Sequence, residues 1–342
     1  MKTILRKINC AARRSGRRAG RQTGESAFSL IELLVTITLL SVIMLGLLMM
    51  FNQTQRAFRT SMTQADVLEA GRAITEMIAR ELEEVTPSHQ QDFLDRNRNL
   101  QRATNFFAWL SRNPVYNAGF DDPLLLGMPG TTYQGQPNVQ DRRTNIVQRL
   151  FFVTRQNQDW IGIGYQVIPL KWSGMAGTLY RFSHTNRMIN GRLDLSDRFN
   201  VASELALRDA ALNRPVTNMN RIADGVVHFQ AHTYDHRGLL LCPDWPDPFR
   251  PVALRNVETR WAQFRNWTSP IARQVDTFFV SNAVPAEVEL ELGILEDTVY
   301  ERFKAIGNAV AQRNYLSNHA AQVHVFRQRV AIRNVDTAAF RP

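Results

Sequence analysis

From Phe28 to Phe51 the chain runs 24 residues with one ionisable side chain, Glu32, after a 27-residue leader holding Lys2, Arg6, Lys7, Arg13, Arg14, Arg17, Arg18 and Arg21. About 20 apolar residues suffice for a helix to cross a bilayer, so the segment needs lipid or other apolar surfaces around it. Lysine and arginine hold the cytoplasmic flank of a membrane helix, which assigns the leader to the cytoplasm and the bulk of the chain to the far side. A secretory signal fits poorly. Its apolar core is about 7 to 15 residues with a small-residue cleavage site behind it, and Met49-Met50-Phe51-Asn52-Gln53 offers none. An uncleaved signal anchor explains the length but gives no reason for Glu32. A carboxylate at that depth is expensive unless it finds a partner, and it marks function by default.

A partner is supplied if the chain is cut before Phe28, since the new α-amino group then lies four residues from Glu32. In a packed array of such helices, the carboxylate of one subunit can neutralise the amine of its neighbour. With Phe28 first and Glu32 fifth, the segment resembles the type IV prepilin signal. The resemblance implies cleavage between Ala27 and Phe28 by a membrane-embedded prepilin peptidase, N-methylation of Phe28, and assembly of the mature helices into a filament core registered by Glu32. That family usually places Gly before the cut, where this chain has Ala27; a cut after Gly24 would make Glu32 eighth rather than fifth.

The leader also carries most of the excess charge. The chain holds 41 basic and 31 acidic residues; without the leader 33 and 30 remain, a net of +3. This undercuts a general nucleic-acid-binding reading, and Arg255, Arg260 and Arg265 read as a solvated face. Cys10 leaves with the leader and Cys242 is then alone, so no intrachain disulfide staples the remaining 315 residues. They must be stabilised by their own core.

Asn52 to Thr86 contains no proline, and Phe58, Met62, Ala65, Leu68, Ile74, Met77, Ile78, Leu82 and Val85 recur at helical spacing. Arg56, Arg59, Asp66, Glu69, Arg72, Glu76, Arg80, Glu83 and Glu84 lie opposite as a solvated face, and Pro87 ends the run. The pattern predicts one helix from Phe28 to Thr86, about 85 to 90 Å long at 1.5 Å per residue, with its second half against a globular head. Gly46 and Gly71 are its weak points, each costing up to about 1 kcal/mol relative to Ala. Ser88 to Thr144 reads as a long irregular connection with one strand or short helix, and holds apolar islands at Phe106 to Leu110 and Leu124 to Leu126. Asp95-Arg96-Asn97-Arg98-Asn99 opens like a calcium loop, but Leu100 and Phe106 stand where Gly and Glu are required.

The head is β-rich. Strands are predicted over Ile146–Arg155, Ile161–Leu170, Gly177–Ser183, Val226–Tyr234 and Gln322–Ile332, and helices over Asn200–Asn213 and Thr298–Gln312. Val201, Leu205, Ala206 and Leu212 form the apolar face of the first helix. Val288-Glu289-Leu290-Glu291-Leu292 alternates, placing its glutamates on the water side. Runs of strands with few helices give the α+β class: a leader at 1–27, a membrane or filament-core segment at 28–51, an amphipathic continuation at 52–86, a connection at 87–145 and a head at 146–342.

Tyr165-Gln166-Val167, Gly177-Thr178-Leu179-Tyr180-Arg181, Ala223-Asp224-Gly225-Val226 and Val284-Pro285-Ala286-Glu287-Val288 follow in the order of strand landmarks in J-type minor pseudopilins of type II secretion, which this chain resembles in layout. The resemblance is closer to the prepilin-type family called Verru_Chthon cassette protein C. It is carried by Asn52-Gln53-Thr54-Gln55-Arg56-Ala57-Phe58-Arg59, Val325-Phe326-Arg327 and Val330-Ala331-Ile332-Arg333-Asn334, with extra residues between Asn314-Tyr315 and Val325-Phe326. These resemblances imply a pilin-like head, no enzymatic activity, insertion in a bacterial inner membrane with the head in the periplasm, and other pseudopilins or prepilin-like cassette proteins as partners.

No constellation of residues points to catalysis. His228, His232 and His236 are spaced by four, but Val226, Val227 and Phe229 favour a strand, on which the outer two stand about 26 Å apart at about 3.3 Å per residue, too far for one ion. Gly162-Ile163-Gly164 lacks the third glycine and following helix of a dinucleotide fingerprint. Asp244 and Asp247 around Trp245 read as a turn, and Cys242 beside Pro243 has no catalytic context. No cofactor, metal or nucleic acid is expected; the partners are the peptidase, related subunits and lipid. The alternatives are an exported binding or catalytic domain on an uncleaved anchor, and a DNA-uptake minor pilin.

Overall fold

The computed structural model describes residues 29–89, 93–94, 100–101, 104–110, 127–129, 142–144, 146–169, 176–187, 194–241, 256–261 and 275–340. Helix α1 (Leu30–Glu83) opens the described chain, and two compact units divide after Phe58. In the first unit every described residue is exposed, and the helix is long and apolar enough to cross a membrane. Its hydroxyls are satisfied within the helix. Thr36, Thr38 and Ser41 donate to the carbonyls of Leu33, Val35 and Ile37 at 2.8 to 2.9 Å, so they bring no orphan donors into an apolar environment.

In the second unit α1 buries Val67, Gly71, Ile74, Thr75, Ile78, Ala79 and Leu82, steps of three and four that keep one face inward. The contact face therefore starts at Val67, later than the stripe in the sequence; Met62, Ala65 and Leu68 are exposed. The helix stops at Glu83, three residues before the predicted end. Val85 instead bridges Thr154, and the Thr86 amide donates to the Val153 carbonyl at 3.0 Å.

Thirteen strands follow among the described residues: β1 (Phe93–Leu94), β2 (Leu100–Gln101), β3 (Thr104–Leu110), β4 (Gly127–Pro129), β5 (Arg142–Thr144), β6 (Gln148–Gln156), β7 (Asp159–Pro169), β8 (Gly177–Arg187), β9 (Asn220–Tyr234), β10 (Val257–Trp261), β11 (Val275–Val280), β12 (Glu287–Leu295) and β13 (Val323–Ala331). Nine form an antiparallel sheet in the order β10-β11-β3-β6-β7-β8-β9-β12-β13; β1 pairs β2 and β4 pairs β5 separately. Helix α2 (Leu195–Ala211) precedes β9, and α3 (Asp297–Ala305) and α4 (Ala309–Asn318) precede β13. This is an α+β arrangement.

The sheet curls. Pairing of β8 with β9 ends at Gly177 opposite Val226 after two register shifts, and the start of β6 reaches the freed part of β9. There Val147 bridges Phe229 in parallel, and the Phe229 amide donates to the Ile146 carbonyl at 2.8 Å. One cluster of buried side chains joins α1 to the strands through Ile78, Leu82, Phe152, Tyr165, Phe229 and Leu292. A second lies under α2 around Phe107, Phe151 and Phe199, and a third joins α3 and α4 to Val227 and Leu295.

Four sequence readings change. Phe106 to Leu110, placed in the connection, is an interior strand between β11 and β6, with Phe106 and Ala108 fully buried. Helix α2 begins earlier, at Leu195, and turns a different face inward: Phe199, Ala202 and Ala206 are buried, while Val201, Leu205 and Leu212 are exposed. The glycines of β7 explain this. A Cβ at Gly162 or Gly164 would collide with Leu195 and Phe199 respectively, so those side chains fill the space that the glycines leave. The helix expected over Thr298–Gln312 breaks into α3 and α4, because Asn308 caps the second by accepting from the Val310 and Ala311 amides at 2.8 and 3.3 Å. Finally, Glu289 and Glu291 are not turned simply to water. Tyr234 donates to Glu289 at 2.5 Å, and Arg327 pairs with Glu291 at 2.6 Å.

Candidate functional site

Glu32 lies in the first turn of α1 and is exposed. The amides of Glu32 and Leu33 donate to the Ser29 carbonyl at 2.9 and 3.1 Å, which starts the helix. A carboxylate in a first turn is favoured by the partial positive charge of the helix N-terminus. Ala27 and Phe28 lie outside the described residues.

The second candidate site is the clasp that holds α1 on the sheet in the second unit. Glu81, absent from the solvated face read in the sequence, receives the Tyr165 hydroxyl on Oε2 at 2.5 Å and two Arg181 nitrogens on Oε1 at 2.7 and 3.0 Å. The Glu81 and Arg181 side chains are 21% and 22% exposed, and Tyr165 is fully buried. Burial, then the adjacent Glu81 carboxylate, pushes the Tyr165 hydroxyl well above the usual phenol range, so it stays a donor. Burial opposes the charge on Arg181, but Glu81 outweighs it and raises the pKa. Breaking a partly buried ion pair from one side costs about 2 to 3 kcal/mol, somewhat less than at full burial, because the other charge remains.

One turn along the helix from Ile74 and Thr75, Gly71 lies against the Phe326 ring of β13, which a Cβ at that position would overlap. Below the helix end, Arg333 pairs with Glu83, and Asn334 donates to the Val85 carbonyl at 3.2 Å. Asn105 on β3 then fixes the exit. Its Oδ1 accepts from the Ser88 hydroxyl at 2.6 Å, and its Nδ2 donates to the Ser281 and Ala283 carbonyls at 2.6 and 3.0 Å. Tyr165 and Arg181 stood in landmark segments of the sequence. Their common partner Glu81 did not, since its charge is flanked by Arg80 and Leu82 in a pattern that reads as helix surface.

Among the histidines and glycines considered in the sequence, His228, His236, Gly162 and Gly164 make packing and backbone contacts. His228 and His232 lie on β9, and His236 follows in the turn, its ring 5.4 Å from that of Phe340. His228 Nδ1 is occupied by the Ile146 amide at 2.9 Å, and burial lowers the His232 pKa. No group of three or more His, Cys, Asp or Glu suited to a metal occurs among the described residues. Gly162 and Gly164 receive α2 and form no phosphate loop. The buried Arg149 lies 4.6 Å from the Trp109 ring and donates to Ser203 at 3.1 Å; burial lowers its pKa to about 10 against the fields of Glu204 and Asp276. Asp95 to Asn99, Leu124 to Leu126, Cys242, Asp244, Asp247, Arg255 and Arg265 lie outside the described residues, as does Cys10.

Comparison with family models, curated proteins and solved structures finds no match to this chain.

Proposed function

We propose that this chain is a prepilin-like minor pseudopilin. It inserts in a bacterial inner membrane with its leader cytoplasmic, is cut between Ala27 and Phe28 by a prepilin peptidase, and joins related subunits in a type II secretion or pilus-like structure. The observation that carries the reading is a helix whose first 22 residues, Leu30 to Phe51, are exposed and predominantly apolar, with one ionisable side chain, Glu32, in the first turn. Such a surface requires lipid or other helices, and an assembly of cleaved helices gives Glu32 a cationic neighbour in the Phe28 amine of an adjacent subunit. The clasped second half of α1 supports a pilin-like arrangement, because it ties a β-rich head to a helix built for assembly. No catalytic step is assigned.

Glu32→Ala separates the two environments of the helix. The variant inserts in the membrane and is cleaved, but is lost from the assembled fraction of native cells. Recovery in that fraction at the wild-type level contradicts the role assigned to Glu32.

A further inference from the structure

The curl of the sheet is closed by a hydrogen bond of fixed polarity. The Ile146 amide donates to His228 Nδ1 at 2.9 Å, which is possible only while Nδ1 keeps its lone pair. The imidazole is therefore neutral with its proton on Nε2, 3.4 Å from Glu291 Oε2. His228 is 3% exposed, and a Cβ added at Gly293 of β12 would lie 2.8 Å from its own Cβ, so the ring is seated against a strand that leaves little room. Glu291 faces it from β12 and His232 follows it along β9; Arg327 of β13 pairs with Glu291, and Glu289 lies opposite His232. From the β6 side the described contacts are uncharged, the Ile146 amide and, further along, Gln148, whose Oε1 accepts from the Ala231 amide at 2.8 Å.

We propose that protonation of His228 opens the seam between β6 and β9. A solvent proton added at Nδ1 sets two donors against each other, Nδ1–H and Ile146 N–H, while the Glu291 carboxylate holds the imidazolium from the opposite side. The Ile146 amide loses its acceptor, and the adjoining bond from the Phe229 amide to the Ile146 carbonyl loosens with it. Acidification thus acts at one joint of the curl and leaves the β6–β7 ladder intact. The device belongs to the head and does not depend on filament assembly.

Hydrogen exchange of the full chain in detergent tests this at about pH 8 and about pH 5, with every amide corrected for its intrinsic rate. Protection at Ile146 and Phe229 is expected to fall at least about tenfold at the lower pH, the scale of one lost buried hydrogen bond, while Phe152 keeps its protection. In His228→Asn, Oδ1 accepts from the same amide without titrating, so protection holds at both pH values. His232→Asn keeps the wild-type fall. Equal protection of Ile146 at both pH values in the unmodified chain overturns the proposal. So does a fall that persists in His228→Asn or vanishes in His232→Asn.

Discussion

Helix α1 is continuous from Leu30 to Glu83, yet its two stretches depend on different surroundings. In the first unit Leu40 is 59% and Leu47 56% exposed, whereas in the second Ile78 and Leu82 are completely buried. An all-round apolar helix must obtain its packing from outside the chain; a one-sided helix can obtain it from its own sheet. Hydrogen-bond continuity along the backbone therefore says little about where the stabilising contacts come from. Fully burying one Leu or Ile contributes about 1.5 to 3 kcal/mol, and among the described residues the head receives that contribution only from Val67 onward.

The contrast breaks most sharply at matched leucines. Leu82→Ala is expected to destabilise the head by about 3 kcal/mol, within the range for a buried leucine, while Leu40→Ala leaves urea unfolding of the head unchanged. A similar loss from both would make the two stretches one cooperative unit.

Next comes the clasp. Glu81→Gln leaves Arg181 without its countercharge and is expected to cost about 2 to 3 kcal/mol; Tyr165→Phe removes one hydrogen bond and costs about 1 kcal/mol. Denaturation followed by circular dichroism separates them, and equal small effects would reduce the clasp to an ordinary surface pair.

The glycines sharpen the comparison through opposite signs. Gly71→Ala overpacks against Phe326 and should destabilise by about 1 to 2 kcal/mol. A Cβ at Gly46 meets nothing within 4 Å, so Gly46→Ala should strengthen the helix by up to about 1 kcal/mol. Thermal melts of both variants in detergent measure the pair, and a stabilised Gly71→Ala would show that the ring moves aside freely.

Much of the fold was legible in the sequence because its long elements carry strong periodic signals: the apolar helix, β6 to β9, β12 and β13. Strand β3 was legible only as an apolar island in a connection that allowed one strand or short helix, since Phe106 to Leu110 is a short apolar run without alternation. A central strand buried on both faces needs none. The inward face of α2 was hidden for another reason, namely that it is set by glycines on β7 rather than by the helix's own pattern. In the candidate site Glu32 stood out because a lone charge in an apolar run is conspicuous. Glu81 did not, because its partners Tyr165 and Arg181 are 84 and 100 residues away, and only tertiary packing identifies an acid on a charged helix as an anchor. Gly71 was misread for the same reason. Helix propensity counts it as a defect, whereas β13 uses it as the seat for a ring.

The central claim concerns the first stretch of α1, and the intact mass and N-terminal sequence of the chain, expressed with and without a prepilin peptidase, test it most directly. The account predicts a start at Phe28, with or without one added methyl group, only when the peptidase is present. A leader that persists intact beside an active peptidase contradicts it.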